Sequence, residues 1–127
     1  MDNDFKFGTA INCIDGRTQQ VVIDYMKQNY GIDGVDMVTF PGADGIFVGK
    51  QSEIIEQLKK SVAISVEKHG SRTVAVVGHH DCAGNPGDSD YHCEHIRKSI
   101  IAVSAWKFPV RVVGLYVNDR WQIEAVK

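Results

Sequence analysis

Apolar positions along the chain switch repeatedly between strand-like runs and helical spacing. Phe5 to Cys13, with Phe7, Ala10 and Ile11, predicts a buried strand ending near Cys13. Thr18 is a candidate cap for a helix in which Val21, Val22, Tyr25 and Met26 share one face, and Gly31 is a suitable stop. Val35 to Phe40 predicts a second strand, broken by the loop Pro41-Gly42-Ala43-Asp44-Gly45. From Gln51 to His69, Ile54, Ile55, Leu58, Val62 and Val66 form the apolar stripe of a helix that Gly70 ends. Thr73 to Gly78 is continuously strand-like, as in a parallel strand covered on both faces. After the turn Asn85-Pro86-Gly87-Asp88, Ile96, Ile100 and Val103 mark a helix over Tyr91 to Trp106. Val110 to Val117 is the last long strand, and Asn118-Asp119 turns the chain into an antiparallel edge strand over Trp121 to Val126.

The order β-α-β-α-β-α-β-β predicts a three-layer α/β domain over residues 1–127. Its sheet is expected to be mostly parallel, about four strands in the order 2-1-3-4, plus the antiparallel edge strand. An apolar content of 43% supplies one core. The net charge is −2 and the 14 basic residues are scattered, which argues against a nucleic-acid partner. No apolar run is long enough to span a bilayer, and the acidic start Met1-Asp2-Asn3-Asp4 is unlike a signal peptide. A cytoplasmic location is therefore expected. Three cysteines are too few for a disulfide scaffold and fit ligands, nucleophiles or buried thiols instead.

Two stretches past strand-like runs carry the candidate chemistry: Cys13-Ile14-Asp15-Gly16-Arg17 and His79-His80-Asp81-Cys82-Ala83-Gly84. In an open α/β sheet functional groups collect at the carboxyl ends of strands. If strands one and three are neighbours, Cys13, Cys82 and either His79 or His80 can share one Zn²⁺. Asp15 can then fill the fourth position, or hydrogen-bond a bound water while Arg17 holds it. Two thiolates neutralise the charge of Zn²⁺, so hydroxide chemistry is expected to favour alkaline pH.

These residues resemble the β-class carbonic anhydrases, which carry Cys-x-Asp-x-Arg after the first strand and His-x-x-Cys-Gly after the third. The matching positions are Cys13, Asp15 and Arg17, then His79 and Cys82, and the likeness runs from about Phe7 to Val117. The resemblance implies zinc held by Cys13, His79 and Cys82, with an Asp15–Arg17 dyad beside it. It implies a zinc lyase that hydrates CO₂ reversibly to bicarbonate by attack of zinc-bound hydroxide. It also implies a homodimer or higher oligomer. The chain departs from the family pattern in having Gly16 for Ser, Ala83 for Gly and Phe40-Pro41-Gly42-Ala43 for Arg-Asn-Ala-Gly. A short, divergent member without the N-terminal helical arm is expected.

Alternative readings remain. They are a zinc enzyme acting on another small heterocumulene such as CS₂ or COS, a silent zinc-binding regulatory module, and a thiol redox protein using Cys13 and Cys82. Cys93 reads as core, and His92-Cys93-His95 is a weaker candidate for a second metal site. The Gly42 to Gly45 loop is either an anion-binding nest or a tight turn.

Overall fold

The structure, a computed structural model, describes residues 4–127, so the acidic Met1-Asp2-Asn3 start lies outside the described residues. Among the described residues nine elements follow in order: β1 (Phe7–Asn12), α1 (Gly16–Tyr30), β2 (Gly34–Thr39), α2 (Ala43–Ile46), α3 (Ser52–Glu67), β3 (Thr73–His79), α4 (Ser89–Ser104), β4 (Arg111–Val117) and β5 (Ile123–Val126). These strands form one sheet in the order β2-β1-β3-β4-β5. The first four are parallel and β5 pairs antiparallel with β4, as the alternation of elements predicts.

Alternation of side chains divides the core in two. Ile11, Val74 and Val76 point to the face covered by α3 and α4, where they meet Leu58, Val62 and Val103. Ala10, Ala75 and Val77 point to the opposite face and pack on Val22 and Met26 of α1. All residues of β3 are buried, which explains why its sequence shows no polar alternation.

Local chemistry sets the helix ends. Helix α1 starts before the expected cap, because the Asp15 carboxylate accepts the Arg17 N–H at 2.9 Å. Thr18, expected to be the cap, lies buried in the first turn, and its hydroxyl donates to the Asp15 carbonyl at 2.9 Å. Gly31 ends the helix in the left-handed region, at φ 63°. The loop expected after β2 contains the short helix α2, opened by Gly42 at φ 62°. Among the described residues no helix is long and apolar enough to cross a membrane.

Candidate metal centre

Strands β1 and β3 are hydrogen-bonded neighbours, with Ala10 opposite Ala75 and Ile11 opposite Val76. Cys13 follows β1 directly, His79 is the last residue of β3, and Cys82 lies in the turn beyond. The Cys13 and Cys82 sulfurs are 3.9 Å apart, and these atoms and a His79 ring nitrogen all lie within 4.8 Å of one another. Tetrahedral coordination at the usual Zn–S length places two sulfurs about 3.8 Å apart. All three side chains are buried.

Hydrogen bonding decides which imidazole atom is offered. A carbonyl oxygen only accepts, so His79 Nδ1 carries the proton that it donates to the His80 carbonyl at 2.7 Å. His79 Nε2 is then left with a lone pair, and among the described residues it is buried without a partner. An idle buried acceptor is costly, and a metal ion removes the cost. The Gly42 N–H points at Cys13 Sγ from 3.4 Å. Burial, and next the neighbouring Cys13, push the Cys82 thiol up to about 11. A divalent cation supplies the positive charge that two adjacent thiolates require. Donor set, spacing and tautomer therefore fit a zinc ion.

Asp15 and Arg17 form the expected pair. Asp15 Oδ1 accepts from Arg17 Nε at 3.1 Å and Oδ2 from Nη2 at 2.7 Å. The guanidinium also donates to the Asp81 carboxylate and carbonyl at 3.2 and 3.1 Å, and it lies 4.5 Å from the Trp121 ring centre. The hydrogen bonds from Arg17 hold the Asp15 carboxyl down at about 2, against a smaller opposing effect of burial. The Arg17 side chain is 48% exposed, so the pair adds little stability; its consequence is a fixed carboxylate orientation.

A cleft of about 500 Å³ opens beside Cys82, lined in part by His80, Asp81, Tyr116, Asp119 and Glu124. His80 is exposed, with its ring edge toward Trp121 at 6.2 Å, and it stands outside the ligand cluster. His92 and His95 do not form a second cluster among the described residues; His92 pairs with Asp44, and His95 with Asn85. Cys93 packs beside Ile96 and Tyr116, in keeping with its reading as core. Asp44, Asn85 and Trp121 are not legible in the sequence as site neighbours. Each reaches the site through a tertiary contact, and the one local hint is the glycine pair Gly42 and Gly45 that brackets Asp44.

A mostly parallel α/β sheet that presents two cysteines and a histidine at adjacent strand ends defines a three-layer α/β protein with a candidate metal site. The chain belongs to the putative carbonic anhydrase family, whose model matches residues 3–127. No curated protein matches it in sequence. Among solved structures it is similar to a carbonic anhydrase of Streptococcus mutans, at 16% identity and TM-score 0.62, over 94% of this chain and 81% of that one. It is similar to a mutant form of the β-carbonic anhydrase CafD of Aspergillus fumigatus, at 8% identity and TM-score 0.57, over 98% and 90%. A tetrameric β-carbonic anhydrase of Sordaria macrospora shares 14% identity at TM-score 0.51, over 96% and 80%. These likenesses show a common fold.

Two outcomes are expected. A Cβ at Gly42 would sit 2.5 Å from the Gly84 carbonyl carbon, at a positive φ as well. Gly42→Ala should therefore cost about 2 kcal/mol or more, by overpacking and backbone strain, in a denaturant midpoint. Asp15 titrates below its ordinary value of 3.8. Its pairing thus adds stability above that value and loses it as pH falls toward about 2. Arg17→Ala should return the Asp15 titration, followed by carboxyl NMR, to the ordinary range.

Proposed function

We propose that this protein is a zinc lyase that hydrates CO₂ reversibly to bicarbonate, with the metal held by Cys13, His79 and Cys82. The observation that carries the reading is the Nε2 of His79, buried and without a partner among the described residues, set beside two sulfurs at tetrahedral zinc spacing. When bound, zinc would supply a Lewis acid that makes a water easier to ionise, though less so than at a three-histidine site because two thiolates neutralise its charge.

The protein's own groups would do the rest. Both Asp15 oxygens accept hydrogen bonds from Arg17, which favours water over Asp15 in the fourth metal position. Asp15 can then accept a hydrogen bond from the attacking water or hydroxide at one carboxylate oxygen and so orient it, while Arg17 keeps that oxygen aimed. Asp81, Asp119 and Glu124 line the cleft beside Cys82, and their charge opposes retention of an anion. A neutral substrate enters such a cleft without penalty, and bicarbonate is released from it.

A homodimer or higher oligomer is part of the same reading. The open outer edge of β2 and the tetrameric Sordaria macrospora relative support it. A reducing, cytoplasmic setting is supported by the need to keep two sulfurs 3.9 Å apart as thiols.

Metal analysis joined to stopped-flow CO₂ hydration tests the proposal. One zinc per chain is expected, lost in Cys13→Ser. Asp15→Ala should keep the zinc and lose about 100-fold or more in kcat/KM. Hydration should rise toward alkaline pH, because two thiolates weaken the Lewis acid. Full zinc with no hydration above the zinc-free control would show a silent binding module, and turnover of COS or CS₂ alone would move the assignment to that substrate.

A further inference from the structure

A buried carboxylate away from the metal ligands ties the loop that carries Cys82 to the loop after β2, whose Gly42 N–H faces Cys13. Asp44, in α2, is 1% exposed. Its Oδ1 accepts from Asn85 Nδ2 at 3.0 Å, and its Oδ2 meets His92 Nδ1 at 2.5 Å. Its main-chain carbonyl accepts from Ser99 Oγ at 3.1 Å. Asn85 is held on its other sides too. Its Nδ2 donates to His95 Nδ1 at 3.1 Å, and its Oδ1 accepts from the Tyr91 hydroxyl at 2.8 Å.

Absent side chains make room for this network. A Cβ on Gly78 would lie 2.5 Å from Asp44 Oδ2, and one on Gly45 would lie 2.8 Å from the Asn85 amide. The arrangement also leaves His92 Nε2 buried without a partner among the described residues. Apolar packing would be cheaper than a buried carboxylate with a half-satisfied imidazole; what polar groups add is a fixed geometry.

The fixed geometry is that of the loop after β2 and the Cys82 loop. Asp44 stands two residues past Gly42, whose N–H faces Cys13 Sγ. Asn85 stands three residues past Cys82. The Asp44–Asn85 bond thus joins the loop after β2, which touches Cys13 through the Gly42 N–H, to the Cys82 loop, and His92 anchors the joint to α4. We propose that Asp44 is a positioning residue of the metal centre: bonded to Asn85 and His92, it holds the Cys82 loop against the loop whose Gly42 N–H meets Cys13, and so keeps Cys13 and Cys82 at the separation that grips one ion.

The inference rests on the metal-centre reading above, so one arm of its test needs no metal. All proteins carry Cys93→Ala, which leaves only two thiols. Asp44→Asn keeps the size of the side chain. With its amide oxygen toward His92, its NH₂ faces the Asn85 NH₂, donor against donor. The swap Asp44→Asn with Asn85→Asp restores a donor and an acceptor. Ser65→Ala is the control for general loss of stability, since Ser65 Oγ is buried between the Thr9 and Ser71 hydroxyls at 2.6 and 2.8 Å, away from both loops.

In the first arm, zinc affinity is measured by competition with a chromophoric chelator. In the second, metal-free protein is equilibrated with reduced and oxidised glutathione. There Cys13-SH, Cys82-SH and one oxidised glutathione give the Cys13–Cys82 disulfide and two reduced glutathiones. The equilibrium reads how well the fold holds the sulfurs together.

Asp44→Asn is expected to lower zinc affinity about 10-fold to 100-fold and to lower the effective concentration of the thiol pair at least about 10-fold. The swap should recover most of both, and Ser65→Ala should change neither at an equal loss of Tm. Wild-type values for Asp44→Asn, or losses that Ser65→Ala matches, would overturn the proposal. If the wild type bound no zinc, the function reading would fail, and the glutathione arm would still decide whether Asp44 positions the two sulfurs.

Discussion

Parallel pairing of β1 with β3 is the constraint on which the site depends. Neighbouring strands in a sheet lie about 5 Å apart. Two chain segments that leave such strands at the same end are therefore brought within reach of one ion, although Cys13 and Cys82 are 69 residues apart. Parallel pairing of this kind needs a crossover long enough to return the chain, and the α1-β2-α2-α3 segment between β1 and β3 supplies it. The helices that cover the two faces of the sheet thus also fix the geometry of the candidate metal ligands.

Burial then sets the chemistry. The Cys82 thiol is poorly placed to ionise alone, because burial and next the neighbouring Cys13 push it up. The donors are instead aimed in advance, by the His80 carbonyl on His79 and by the Gly42 N–H on Cys13. Preorganised donors lose little freedom when a cation arrives, and the cation relieves their mutual repulsion. Asp15 faces the opposite balance. It is near enough to the surface to keep its charge, and Arg17 secures that charge.

Much of this arrangement is legible along the chain. Apolar periods locate every long element, because tertiary packing here agrees with local preference. The motif spacings locate all three ligand candidates and the Asp15–Arg17 pair. The start of α1 is ambiguous in sequence because Thr18 and Asp15 are both good caps; Asp15 prevails once Arg17 adds its side chain to the same carboxylate. The choice of His79 over His80 needs the strand end, where the last β3 residue points inward and the next one is exposed. Asp44 is illegible for a physical reason. Its partners Asn85, His92 and Ser99 lie 41 to 55 residues away, and no local period records contacts at that range.

Two of the departures from the β-carbonic anhydrase pattern, Ala83 and the loop after β2, follow from the same packing. The family motif has glycine after its second cysteine, where this chain has Ala83. Ala83 is exposed, so a methyl group there meets solvent. The close approach falls one residue later: a Cβ on Gly84 would lie 2.6 Å from the Gly42 nitrogen and from the Pro41 carbonyl carbon. The requirement for a residue without a side chain is thus set by the loop after β2, which here reads Phe40-Pro41-Gly42-Ala43. Gly42 and Gly84 let two backbones touch where side chains would separate them, and this contact lets the Gly42 N–H reach Cys13. The two loops therefore constrain each other, and a substitution in either is to be judged by its contact with the other.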